Sequence, residues 1–142
     1  MGDRERAFTG AGFYEFLGEK KLMGSRCGSC GALHVPPRAL CPACYGEEMQ
    51  WEEMGGTGKL VAHTTIHIAP TAMIEAGYGR DKPYCTGVVQ LDEGPAISAQ
   101  ILGVDPVRPE EIEIGLPLRA TFVRRGEGEA ARTYLAFERW DR

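Results

Sequence analysis

The sequence predicts a mainly β protein: an N-terminal helical segment (residues 1–24), a rubredoxin-like zinc ribbon (25–50) and a five-stranded OB-fold barrel (51–142). Three observations carry this expectation. Two C-x-x-C pairs stand ten residues apart, a short aromatic stretch with helical spacing precedes them, and five strand-like segments follow. One small insert falls between the third and fourth of these segments, as in an OB-fold.

The helix is expected over residues 10–24, GAGFYEFLGEKKLMG, opening after Thr9. Phe13, Phe16 and Leu17 fall on one face, with Glu15, Glu19 and Lys20 elsewhere, and Gly24 is expected to end it. A helix this short is marginal alone, so its aromatic face must dock on its own domain or on a partner.

The cysteines Cys27, Cys30, Cys41 and Cys44 stand in RCGSCGALHVPPRALCPACY. Each pair puts two thiolates on one tight turn, and two facing turns make a tetrahedral cage suited to Zn2+ at Zn–S distances of about 2.3 Å. Gly28, Gly31 and Pro42 suit such turns. A closed S4 site leaves no position for substrate, so the metal is expected to be structural. The spacing also suits iron. Disulfides are disfavoured because the opening segment, MGDRERAFTGAGFYEF, is charged and has no continuous apolar core of a secretory signal. A cytoplasmic setting is expected, and no apolar run approaches the roughly 20 residues of a membrane span.

Residues 59–68, KLVAHTTIHI, alternate: Leu60, Ala62, Ile66 and Ile68 one way, His63, Thr65 and His67 the other. Further strands are expected at 84–91, 96–102, 117–125 and 132–139. Asp92-Glu93-Gly94-Pro95 marks a hairpin, and a loop around Gly126 and Gly128 joins the last two strands. The insert GVDPVRPEEIEIGL is expected to hold one helical turn starting at Pro109 and stopping before Gly115. An SH3-like barrel is the competing architecture. The unpatterned connection 69–83 borders the ligand face of an OB-fold. With Met73, Ile74, Gly77 and Gly79 it reads as a lid, a partner contact or a merely mobile loop.

Apolar content of 43% and charged content of 25% are ordinary for a globular protein. The formal net charge is −4, and four thiolates on one Zn2+ make it two units more negative. Nucleic-acid affinity draws on a basic surface, so this balance disfavours a nucleic-acid partner.

The order of parts resembles the zinc-ribbon/OB-fold acyl-CoA-associated family, formerly a domain of unknown function. The residues that carry the resemblance are the cysteine frame with Gly31, Pro36-Pro37-Arg38 and Pro42, Gly56 and Gly58, Pro83-Tyr84, Val89, Leu91-Asp92-Glu93-Gly94-Pro95, and Gly103 to Pro106. The Pro-Pro-Arg insert and the LDEGP hairpin are the specific parts; the cysteine frame is generic. The stretch VRPEEIEIGL is slightly longer than the usual insert. Membership implies a small non-catalytic accessory subunit of a thiolase-type complex, binding a thiolase-fold enzyme and helping to bind or channel an acyl-CoA thioester.

On that reading Arg38, Arg80, Lys82, Arg124 and Arg125 are the candidates for coenzyme A phosphates, since the guanidinium fork suits phosphate oxygens. Tyr84 or Phe122 is the candidate to stack on adenine, and Lys20 and Lys21, beside the aromatic helix, are further basic candidates. No catalytic residue is assigned. Cys85 sits in a strand pattern without a local base and reads as a packing cysteine. His63 and His67 lie about 13 Å apart along a strand, too far to share an ion. His34 falls inside a ribbon whose thiolates already satisfy the metal. Gly55-Gly56-Thr57-Gly58-Lys59 is not a Walker loop, because Glu53 and Leu60 stand where glycine and Ser/Thr are needed. Two rival functions remain: a single-stranded nucleic-acid binder, and a free-standing acyl-CoA thioesterase using Cys85.

Overall fold

The computed structural model describes residues 6–126 and 128–140. The first helix, α1, spans Gly10–Gly18. Thr9 is extended, and its Oγ1 accepts a hydrogen bond from the Gly12 N–H at 3.2 Å, which satisfies one orphan donor of the first turn. The helix stops six residues earlier than the apolar spacing predicts. Lys20 adopts a left-handed backbone (φ 62°), and the Lys21 N–H closes onto the Phe16 carbonyl at 3.0 Å. Leu22 and Met23 are buried as the chain becomes extended. Gly24 therefore sits within a strand. A Cβ there would lie 2.6 Å from Val35 and 2.7 Å from the His34 carbonyl, so close packing rather than helix termination requires the glycine.

The ribbon is an antiparallel sheet of β1 (Met23–Cys27), β2 (Leu33–His34) and β3 (Met49–Glu53) in the order β2-β1-β3. Residues 51–53 of the glycine-rich stretch WEEMGGTGKL lie in β3. Aromatic packing joins the sheet to α1: Trp51 on β3 stacks on Phe8 at 4.7 Å and meets the edge of Phe16 at 4.7 Å.

Five strands then form a closed barrel: β4 (Thr57–Ile66), β5 (Tyr84–Leu91), β6 (Ala96–Leu102), β7 (Pro117–Arg125) and β8 (Arg132–Arg139). Their order is β4-β5-β6-β8-β7, with β7 returning to β4; every pair is antiparallel except β6 with β8. This is the Greek-key connectivity of the OB-fold. Inward residues Leu60, Val89, Leu91, Ile97, Ile101, Leu118 and Phe137 fill it. Phe13 and Leu17 of α1, and Leu22, Val35 and Met54 of the ribbon, belong to the same core.

Two local expectations are corrected. The first barrel strand runs over 57–66 rather than 59–68, and its register slips between Leu60 and Ala62. This bulge inverts the alternation, so that Ala62 is exposed while His63 and Thr65 are half-buried. Ile68 lies beyond the strand and is 75% exposed. The 69–83 connection is not unpatterned: α2 (Thr71–Glu75) buries Met73 and leaves Ile74 exposed. The insert holds a single 3-10 turn at Pro109–Glu111, with Ile112 buried behind it. Among the described residues no helix is long and apolar enough to cross a membrane.

Candidate functional site: a thiolate cage and an arginine–tyrosine groove

Each knuckle of the ribbon repeats one turn. The Gly31 N–H bonds the Cys27 carbonyl at 2.9 Å, and the Tyr45 N–H bonds the Cys41 carbonyl at 2.7 Å. The fourth residue after each leading cysteine is left-handed, Gly31 at φ 79° and Tyr45 at φ 61°. These turns bring the sulfurs of Cys27, Cys30, Cys41 and Cys44 within 4.8 Å of one another. Cys27–Cys44 and Cys30–Cys41 are each 3.6 Å apart. A tetrahedron with bonds of about 2.3 Å has edges of about 3.8 Å, so the cage fits Zn2+.

The donor chemistry demands a cation. The Cys27 thiol is held down to about 6, chiefly by the Cys30 backbone N–H, with the Ser29 N–H adding to it. Cys44 is pushed up to about 12. The Gly46 N–H pulls it down, but the neighbouring thiols of Cys27 and Cys30, desolvation and Cys41 together outweigh that. Crowded sulfurs cannot all ionise without a positive charge among them. His34 adds an outer contact, its Nε2 lying 3.5 Å from Cys41 Sγ. All four cysteines face the one site and leave no open position, which makes the zinc structural.

The second feature is a groove of about 610 Å³ where β6 and β8 part. Phe13, Tyr14 and Leu17 of α1 form one wall, Met73 and Tyr84 another, and Ala96 to Gln100 of β6 run along it. A neighbouring groove of about 550 Å³ under α2 shares Met73, Arg125 and Tyr134 with the first. At the junction Arg125 stacks over Tyr134 at 5.0 Å and donates to Gln100 Oε1. Gln100 in turn donates from Nε2 to the Tyr78 hydroxyl at 3.1 Å. Tyr78 meets the edge of Tyr84 at 5.3 Å and carries the Lys82 ammonium over its face at 5.0 Å.

Of the residues singled out from sequence, Tyr84 and Arg125 line the first groove and Arg124 and Arg125 the second. Lys82 joins them through Tyr78. Arg80 is exposed in the turn that Gly79 and Lys82 close. Arg38 is not with them. It stands in the ribbon, exposed, with its backbone N–H on Ser25 Oγ at 2.8 Å; Pro36, two residues earlier, is the ribbon residue that reaches the groove. Phe122 lines a separate depression beside Lys20, Leu22 and Trp140. Sequence reasoning missed Gln100, Tyr78 and Tyr134. Gln100 is the one signal available: a polar residue in a strand of small and apolar residues, and it is buried.

Cys85 is 2% exposed, and burial pushes its thiol up. Its Sγ lies 3.8 Å from the Thr86 carbonyl, and it packs within the barrel core.

Ribbon, barrel and capping helix define a class: small proteins in which a zinc knuckle is fused to an OB-fold. The chain belongs to the ChsH2 (DUF35) family, for its residues 15–50 match the family's rubredoxin-like zinc ribbon domain and residues 51–123 its C-terminal OB-fold domain. It is 32% identical over 104 residues to a DUF35 domain-containing scaffold protein of Methanocaldococcus jannaschii, covering 72% of this chain and 68% of that one. It is 34% identical over 82 residues to the benzoylsuccinyl-CoA thiolase subunit BbsA of Thauera aromatica, covering 58% of this chain and 52% of that one. Among solved structures, an Ltp2–ChsH2(DUF35) aldolase chain superposes with a TM-score of 0.73 at 26% identity, covering 95% of this chain and 97% of that one.

Proposed function

We propose that this protein is a non-catalytic accessory subunit of an acyl-CoA-processing complex, docked on a thiolase-type enzyme and holding part of the acyl-CoA thioester at the α1–β6 groove. The observation that carries the reading is the groove itself. Its walls are apolar and aromatic, and at one end a guanidinium is clamped between Tyr134 and Gln100. An apolar slot ending in a fixed cation suits a ligand with a long neutral arm and a phosphorylated head. Relatives named as a scaffold protein and as a thiolase subunit support the same reading.

The chemistry would be positioning. Holding the thioester in register with a nucleophile on the partner lowers the entropic barrier, and α1 and α2 screen the arm from water. Zinc would supply rigidity only, tying the ribbon to α1 and so fixing the groove wall. At the end of the groove Arg125 would meet phosphate oxygens, with Lys82 outside it over Tyr78 as a second cation, and Tyr84 or Tyr134 would meet the adenine, while Arg80, Arg124 and Arg38 would serve at the rim or against the partner.

The rivals fit less well. A thioesterase would need a reachable nucleophile, and Cys85 is sealed in the core with a thiol that resists ionisation. A nucleic-acid platform would need a basic face on a chain whose net charge is −4. Co-expression with the thiolase-type enzyme tests the proposal. A stable complex whose thiolytic activity falls when this subunit is withheld is expected; a lone monomer, with the enzyme fully active in its absence, refutes it.

A further inference from the structure

The β5–β6 register assigns a specific job to one short stretch of backbone. Val89 pairs with Ile97 and Gly87 with Ala99, and the hairpin closes with the Leu91 N–H on the Pro95 carbonyl at 2.8 Å. In an antiparallel ladder, residues alternate between pairs that exchange hydrogen bonds and pairs whose N–H and C=O point away. Counted from the bonded Leu91–Pro95 pair, Ile97, Ala99 and Ile101 spend their backbone groups on β5. Ala96, Ser98 and Gln100 turn theirs to the other side. There β8 pairs only with Gln100, Ile101 and Leu102. Among the described residues no strand lies beside the outward N–H and C=O groups of Ala96 and Ser98; both residues are exposed, and both line the groove.

We infer that this two-residue edge is a pantetheine site: the two amides of the coenzyme A arm pair with the outward backbone groups of Ala96 and Ser98. The inference rests on the acyl-CoA reading above and deepens it. The length of the edge selects the occupant. A partner's strand typically needs five or six residues of ladder, and here β8 ends the opening at Gln100. An extended arm with two secondary amides between methylene stems matches two peptide units flanked by Phe13, Tyr14, Leu17 and Tyr84. Direction follows from charge. Arg125, held by Gln100, sits at the β8 end of the edge and takes the phosphates. The thioester then leaves past Ala96, towards the Asp92–Pro95 hairpin, so the partner's active site meets the subunit there. Deleting one donor leaves the arm's carbonyl unpaired in a part-desolvated slot, so the loss exceeds the net contribution of the pair itself.

Proline at Ser98 deletes one outward N–H, and proline is tolerated where a strand's N–H faces an open edge; Ser98→Ala keeps the N–H. Calorimetric titration of the zinc-loaded chain, alone and in its complex, with coenzyme A and with 3′,5′-ADP separates the contributions. Ser98→Pro is expected to raise the coenzyme A Kd about tenfold, a change of about 1.4 kcal/mol, with the 3′,5′-ADP Kd unchanged; Ser98→Ala is expected to match the parent. If Ser98→Pro loses zinc or its melting transition, Ala96→Pro, at the other open N–H, takes its place. Parent-like coenzyme A binding by the proline variant overturns the backbone pairing and leaves the acyl-CoA reading standing. Loss of the partner enzyme with coenzyme A binding intact also overturns it, giving the edge to a protein strand. Absence of coenzyme A binding by the parent chain and its complex overturns both.

Discussion

Phe16 ties α1 to the ribbon sheet and to the segment before the helix, and its truncation to alanine is the most quantitative test of how they cohere. The side chain is fully buried. Its ring meets Trp51 at 4.7 Å, lies 4.2 Å beneath the Arg6 guanidinium, and shares Trp51 with Phe8. The Trp51 indole N–H donates to the Arg6 carbonyl at 3.0 Å, so the site is bounded by backbone and cannot collapse freely. Removing a buried phenylalanine in such a setting costs about 3–5 kcal/mol, a large share of the roughly 5–15 kcal/mol that holds a domain folded. For a chain of this size the melting temperature should fall by roughly 10–15 °C. Calorimetry with excess zinc reads this directly, and metal content checks that the knuckles survive. Because α1 also carries Phe13, Tyr14 and Leu17 into the groove, coenzyme A affinity should fall while zinc is retained. A loss below about 1 kcal/mol would mean that α1 is not anchored through Phe16.

Zinc affinity should depend steeply on pH. A Cys44 thiol pushed up to about 12 is protonated at neutral pH until the metal displaces its proton. Apparent affinity should therefore fall at least about tenfold for each unit of acidification, and more steeply below about pH 6, where Cys27 also takes up a proton. Competition with a chromophoric chelator measures this, and a flat profile contradicts it. Gln100→Leu removes the side chain that joins Arg125 to Tyr78 at nearly constant volume. Hydrogen bonds to charged groups contribute about 1.5–3 kcal/mol, so the coenzyme A Kd should rise about tenfold or more; an unchanged Kd removes Arg125 from the site. Cys85→Ala should leave the activity of the complex within about twofold at a stability cost of about 1 kcal/mol, whereas abolished turnover would revive the thioesterase reading.

The sequence made the later barrel legible because period-two patterns there run uninterrupted between Gly/Pro turns; β5 to β8 occupy the expected 84–91, 96–102, 117–125 and 132–139. The bulge in β4 was hidden, since one inserted residue leaves composition unchanged while inverting every later side chain. The end of α1 was hidden for a different reason: the left-handed turn that redirects Leu22 and Met23 into the core falls on Lys20, a residue type with no preference for that backbone. The cysteine cage could be read from spacing because chelation is local. The groove could not. Gln100 and Tyr134 point outward from their strands and look solvated until α1 and α2 fold over them, and the separation of Arg38, in the ribbon, from Arg124 and Arg125 is visible only in three dimensions.

On the proposed reading, this subunit carries the arm of a thioester whose chemistry is done by another chain. A cryo-electron microscopy map of the co-purified complex with bound acyl-CoA tests that most directly. Continuous density from Arg125 along Ala96 and Ser98 into the partner's reactive centre is the expected result. Density lying wholly within the partner, with the α1–β6 groove empty and facing away, would contradict it.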